Sequence, residues 1–445
     1  MYAICLPRFI CMTPRRFPAG FLWGTASSSH QHEGGNQLNQ WADWEQKPGV
    51  IWHGDRVGDA CGWWRELEPD LDRACALAQN AFRMSLEWSR IEPRPGEFDP
   101  AAIGRYREML AAVRARGLTP MVTLHHFTNP RWLEQQGGWL NPGTPARFGR
   151  YVAHVLGQLG DLCELWCTVN EPTIYTLMGY LHGHWPPGHS HMGQAMRVLV
   201  ALLRGHAAAV EAVHAAGPQH RAGIVHNLHL VDPSTPRLPD LLIARFSDLL
   251  TNGCVLSALH TGRILPPFGS GRTIIPGLAT SDFIGLNYYS RSWVAFDIRR
   301  PREFFSRSYT PEHAEQSDIN SHGRSYGEIY PEGLYRSIKR LSSLKLPIYI
   351  TETGLPDHDD DQRPRFILNH LASVHRAIQE GADVRGVFLW SLVDNFEWSE
   401  GWDLRFGLYA LDQRTGERRL RPSGALYGVI ARANALPAET KKPSV

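Results

Sequence analysis

Leu165-Trp166-Cys167-Thr168-Val169-Asn170-Glu171-Pro172 is a short apolar run that ends in a glutamate, and Pro347-Ile348-Tyr349-Ile350-Thr351-Glu352-Thr353-Gly354 repeats the arrangement. A run of this length bounded by turn residues reads as a buried strand, which has no use for an acid at its end unless the acid faces a ligand. Glu171 and Glu352 stand 181 positions apart, so only a fold that gathers strand ends from distant parts of the chain brings them together. A closed barrel of parallel strands does so, because the carboxyl ends of all eight strands form one face and that face carries the chemistry. Paired carboxyl groups across a small gap are the apparatus of glycoside hydrolysis: one protonates the leaving oxygen while the other attacks the anomeric carbon or activates water.

Six further runs complete a set of eight strands, at 21–26, 81–88, 119–127, 222–231, 282–289 and 386–392. Helices are read between them over 67–79, 101–117, 198–215 and 366–380, the second of these with Ile103, Tyr106, Leu110 and Val113 at helical spacing. Arg83 lies inside the second strand, where a lone arginine is costly to bury without an anion, so a carboxylate in the barrel mouth is its expected partner. The segment 299–324 reads as a surface loop, and the acidic run 357–361 as a solvated face. No linker-like segment interrupts the alternation, so the fold class is α/β: a single (β/α)8 barrel over 13–434 whose long βα loops form the active-site pocket. Residues 1–12 read as disordered or as an over-extended start, and 435–445 as a flexible tail.

Composition narrows the function classes. A net charge of +2 with no basic block or basic-aromatic pattern argues against a nucleic-acid partner. The chain has no uninterrupted apolar run of about 18 residues, which argues against a membrane span. Pro7 and Arg8 break the first apolar stretch before a signal-peptide core is complete. Seven cysteines, an odd number in a chain of 445 residues, fit reduced thiols and a cytoplasmic address, with Cys163 and Cys167 read as buried structural thiols. Histidines cluster after Glu171, at His182 and His184, on a Pro/Gly-rich loop that fixes no ligand geometry, so no metal is expected.

Several ordered motifs together resemble family 1 of the glycoside hydrolases, the β-glucosidase family, from Phe17 to about Ala431. Thr168-Val169-Asn170-Glu171-Pro172 is similar to its acid/base motif and Ile350-Thr351-Glu352-Thr353-Gly354 to its nucleophile motif. Trp390-Ser391-Leu392-Val393-Asp394-Asn395-Phe396-Glu397-Trp398 resembles its glycone-binding motif. The resemblance implies that Glu171 is the general acid/base and Glu352 the nucleophile of a retaining, exo-acting β-glucosidase, with Arg83 and Tyr289 touching Glu352 and Asn287 completing the polar wall. It implies that Asn170 binds the sugar 2-hydroxyl, that Gln31, His126, Glu397 and Trp398 hold the other hydroxyls, and that Trp390 lies under the ring. It implies no cofactor, a small β-glucoside or oligosaccharide substrate with galactosides or fucosides tolerated, and no statement on oligomeric state. Retention requires a gap of about 5–5.5 Å between the two carboxyl groups.

Three positions depart from the family pattern. Thr353 stands in place of the common Asn, and Gly62 in place of an Asp; Gly327 replaces a Trp at the leaving-group entrance, which predicts a wider site there. Glu397 and the absence of lysine in 398–403 disfavour 6-phosphorylated substrates, since a carboxylate repels phosphate. A catalytically silent sugar-binding module is disfavoured because both carboxylates are kept, whereas a transglycosylase sharing the same intermediate stays open.

Overall fold

The computed structural model describes residues 15–300, 303–318, 320, 323 and 325–437. Eight strands close into a barrel in chain order: β1 (Leu22–Ala26), β2 (Ala81–Ser85), β3 (Thr119–Thr123), β4 (Leu165–Asn170), β5 (Arg221–Asn227), β6 (Phe283–Asn287), β7 (Ile348–Thr353) and β8 (Val384–Trp390). Every neighbouring pair is parallel, and β8 returns to pair with β1. Parallel strands need long crossovers, and the helices that make them cover the outside of the barrel. The interior is filled by Ala26, Ala81, Met121, Cys167, Val225, Phe283, Tyr349 and Phe388. Small and large side chains alternate so tightly that a Cβ on Gly24 would lie 2.6 Å from Phe388 Cδ1. Cys163 and Cys167 are buried as expected.

Four expectations are corrected. The run 222–231 is two strands: β5 ends at Asn227, and Leu230–Pro233 joins Arg291–Phe296 and Ser306–Tyr309 in a separate three-stranded sheet. Apolar residues on both sides of Asn227 hid the break. That same sheet takes Ser306–Tyr309 out of the expected surface loop, leaving six positions of 299–324 outside the described residues. The acidic run is not wholly solvated, since Asp357 is 1% and Asp360 5% exposed. Asp357 accepts from the backbone N–H groups of Asp360, Gln362 and Arg363 at the start of the helix Arg363–Gln379, and Asp360 pairs with Arg363. Finally, Ala435–Leu436 are strand residues paired with Arg15–Arg16 rather than the start of a tail. Residues 1–14 and 438–445 lie outside the described residues.

The strand ends set the site. Register places Glu352 of β7 beside Asn287 of β6, and Asn287 beside Asn227 of β5. Asn170 ends β4, and its peptide N–H bonds the His125 carbonyl that follows β3. One rim therefore carries three asparagines and a glutamate, with Glu171 one residue beyond.

Candidate active site

A pocket of about 230 Å³ opens at this rim, with both Glu171 and Glu352 in its wall. A larger hollow of about 920 Å³ lies at the opposite end of the barrel, against Leu22, Thr119, Leu165 and Val384. It contains neither glutamate, so the chemistry belongs to the smaller one.

Glu352 is held from two sides. Arg83 Nη1 donates to its Oε1 at 2.5 Å and the Tyr289 hydroxyl donates to its Oε2 at 2.8 Å. Arg83 is fully buried and its remaining donors are satisfied by Thr123 Oγ1, the Thr351 carbonyl and Asn170 Oδ1. Charge-assisted bonds of this kind are short and fix the orientation of the carboxyl group. Arg83→Met removes the one cation bonded to the buried Glu352 carboxyl among the described residues, so it is expected to cost about 3–5 kcal/mol of stability. Urea unfolding measures this, and a variant as stable as the wild type would show that the pair does not hold the barrel mouth together.

Glu171 has different surroundings. It follows β4 in a left-handed backbone conformation, φ 45°, at the start of the helix Pro172–Thr176. This conformation is strained for a residue with a Cβ and turns the side chain at the strand end. Its Oε1 accepts from Asn287 Nδ2 at 2.7 Å and Asn227 Nδ2 at 3.0 Å, and no cation among the described residues bonds it. Burial first, then the negative charge of Glu352, push its pKa up to about 8, against the opposing pull of the two amides. The two glutamates thus differ in role through their neighbours: one is paired with a guanidinium, the other keeps a proton.

The far wall is built from loops after β1, β3 and β8. Gln31 Nε2 donates to Glu397 Oε2 at 3.1 Å, and Asn395 Nδ2 donates to the same oxygen at 2.9 Å. Burial pushes Glu397 up to about 7. The His126 ring lies 6.0 Å from Trp390 and 6.2 Å from Trp398, nearly parallel to both. Burial, and then Arg83, hold His126 well below the usual histidine range, and its buried Nδ1 has no partner among the described residues. A neutral imidazole with an open nitrogen is suited to a ligand hydroxyl.

All eleven residues expected at the site are brought to one end of the barrel. Gln31, His126, Glu171, Tyr289, Glu352, Trp390, Glu397 and Trp398 line the pocket. Arg83, Asn170 and Asn287 stand behind the carboxylates: Asn170 Oδ1 accepts from Arg83 and Asn287, and its Nδ2 lies 3.2 Å from His126 Nε2. Sequence reasoning missed Asn227, although it carries the signal that marked Asn170 and Asn287, a polar residue at the end of an apolar run. It also missed Glu400 in the wall.

The expected opening at Gly327 is corrected. Tyr326 lines the pocket, edge-on to Tyr289 at 5.6 Å and to Phe406 at 5.2 Å. Gly327 itself has φ 145°, and a Cβ there would lie 2.5 Å from Ser290 Oγ, so a tryptophan at this position would collide rather than form a wall. Away from the pocket, carboxylate atoms of Asp318, Asp357 and Asp359 lie within 4.8 Å of one another, but Asp357 is committed to helix amides and Asp318 accepts from the His358 N–H.

A profile of Glycosyl hydrolase family 1 matches residues 13–266 and 269–436. Beta-glucosidase A of Thermotoga maritima is 31% identical over 96% of this chain and 100% of its own. The beta-galactosidase of Pyrococcus woesei is 28% identical over 90% of this chain and 94% of its own. The solved beta-glycosidase from Pyrococcus horikoshii superposes with a TM-score of 0.87 at 38% identity, covering 96% of this chain and 97% of that one.

Proposed function

The chain belongs to glycosyl hydrolase family 1, and from that premise we propose that it is a retaining, exo-acting β-glucosidase that removes terminal non-reducing β-D-glucosyl residues. The observation that carries this reading is the contrast between the two carboxyl groups: Glu352 bonded to Arg83 and Tyr289, Glu171 bonded only by neutral amides. Glu352 attacks the anomeric carbon while Glu171 gives its proton to the departing glycosidic oxygen, leaving a glycosyl ester on Glu352. Glu171, now a carboxylate, takes a proton from water as that water attacks the anomeric carbon and the bond to Glu352 breaks; the sugar leaves with its starting configuration and both groups are restored. Arg83 and Tyr289 orient the nucleophile and disperse its charge. Asn170 holds Arg83 and His126 in register and acts as a positioning residue for both carboxylates.

A pocket of about 230 Å³ is small beside the roughly 300–1,000 Å³ of sites for drug-sized ligands, which supports one terminal sugar rather than a chain threaded through. Gln31 and Glu397 offer a donor and an acceptor side by side, and Trp390 and Trp398 add apolar faces for the ring. Similarity to a beta-galactosidase supports tolerance of an axial hydroxyl as well. Four glutamates line the wall, Glu171, Glu352, Glu397 and Glu400; Glu171 holds its proton, and the others oppose an anionic sugar.

Aryl β-glucoside, β-galactoside and 6-phospho-β-glucoside compared by kcat/KM test the reading. The glucoside is expected to be hydrolysed well, and the 6-phosphate at least about 100-fold more slowly because of like-charge repulsion. Glu397→Gln should lower kcat/KM for the glucoside by about 10–100-fold, the size of a lost hydrogen bond to a charged acceptor. Preference for the phosphorylated sugar would overturn the proposal.

A further inference from the structure

A cluster of exposed apolar side chains among the described residues lies outside the catalytic pocket. The helix Leu238–Asp248 and the residue after it expose Leu238 (66%), Leu242 (55%), Phe246 (37%) and Leu249 (41%), at a spacing that puts all four on one face. The opposite face, with Ile243 and Ala244, is buried and packs toward the three-stranded sheet. That sheet's central strand adds Phe296 and the connection after it adds Ile298 and Phe305, and a groove of about 540 Å³ runs between helix and hairpin. Seven of the thirteen exposed large hydrophobic side chains among the described residues are in this one patch, so it is not ordinary scatter.

The charge around the patch selects an occupant. Arg237 and Arg245 are exposed on the helix and form no ion pair among the described residues, and Arg307 is exposed on the hairpin. The neighbouring acids are taken: Asp240 by Thr235 and the Phe296 N–H, Asp248 by Arg340, Asp297 by Arg299, and Glu303 by Arg300. A second copy of the same face would offer further arginines and the same committed acids, with no unpaired carboxylate among the described residues of that face to meet them. An anionic surface would satisfy them while leucine and phenylalanine side chains enter an apolar layer.

We propose that this face docks the enzyme on the surface of a lipid bilayer that carries anionic headgroups. Leucines and phenylalanines on one stripe with arginines at its edge are the chemistry of a helix lying in the interfacial plane. The segment Leu238–Thr261 is long and apolar enough to span a bilayer by length and composition, but its inner face, with Ile243, Ala244, Val255 and Ala258, is built into the protein, so it lies on the membrane rather than through it. The patch is one helix away from the active site. Phe304 lines both the surface groove and a small cavity against Thr173 and Thr176, and Ile174 of that same helix lines the catalytic pocket.

Flotation of the full chain with vesicles of phosphatidylcholine, alone or mixed with phosphatidylglycerol, tests the proposal. The wild type is expected to float with the mixed vesicles, to remain with the soluble fraction when phosphatidylcholine is used alone, and to be released by salt. Arg237→Glu and Arg245→Glu should each weaken binding by about fivefold or more. Leu242→Glu with Phe246→Ser should weaken it by more than about tenfold. All four sites are exposed and none lines the pocket, so hydrolysis of a soluble aryl glucoside stays unchanged and reports the fold. A wild type that floats with neither vesicle, or a Leu242→Glu, Phe246→Ser variant that floats as well as the wild type, would overturn it. A dimer in sedimentation velocity that this double variant splits would assign the face to a second copy instead.

Discussion

Glu352→Ala is expected to reduce the hydrolysis of an aryl β-glucoside by on the order of 10⁴-fold or more, the scale seen when a nucleophile is deleted from a catalytic set. The other glutamates of the pocket are engaged elsewhere: Glu171 is the proton donor, Glu397 is bonded to Gln31 and Asn395 on the far wall, and Glu400 accepts from Asn320. The loss should fall on kcat, since the hydroxyl contacts at Gln31 and His126 are untouched. A second readout separates chemistry from misfolding. The negative charge of Glu352 is one of the causes that raise Glu171, so its removal must lower the Glu171 pKa from about 8. A carbon-13 titration of the Glu171 carboxyl should show this downward movement in a folded variant. An unmoved titration would mean that the two groups are not electrostatically coupled, and residual activity within tenfold of wild type would remove Glu352 from the nucleophile role.

Glu171→Gln tests the partner role, and its effect depends on the leaving group. A poor leaving group, such as an alkyl alcohol or a second sugar, needs the proton, and the rate should drop by about 10²–10⁴-fold. A dinitrophenyl glucoside leaves without one, so its first turnover should stay fast and be followed by slow release, because the base that activates water is gone. Stopped-flow measurement would show this burst. The wild-type pH profile follows from the sign of the shift. Glu171 must be protonated to act as acid, and its pKa is raised to about 8, so kcat/KM should hold through neutral pH and fall above about pH 8. That alkaline limb should disappear in Glu171→Gln with the activated substrate. A limb that persists unchanged would belong to another group.

Much of this was legible before any coordinates. An acid at the end of an apolar strand is a strong signal because burial penalises it, and Glu171 and Glu352 each carried it. Arg83 announced a buried anion for the same reason, and Glu352 is that anion. The barrel itself followed from eight apolar runs alternating with helical spacing. What failed did so because the deciding partner was far away in sequence. Asp357 looked like one more surface acid until the amides of the helix at Arg363 turned it into a cap. Gly327 looked like a missing wall, yet the ring of Tyr326, one position earlier, stands in the pocket, and only the backbone path shows which neighbour points inward. The strand break after Asn227 was invisible because both halves are apolar, and the break is what aims Asn227 at Glu171.

Retention through an ester on Glu352 is the central claim, and proton NMR of the sugar released from an aryl β-glucoside tests it most directly. The account predicts that β-glucose appears first and then mutarotates toward the α-anomer. Release of α-glucose as the first product would contradict it, since water would then have attacked the anomeric carbon directly and Glu352 would not have formed the bond.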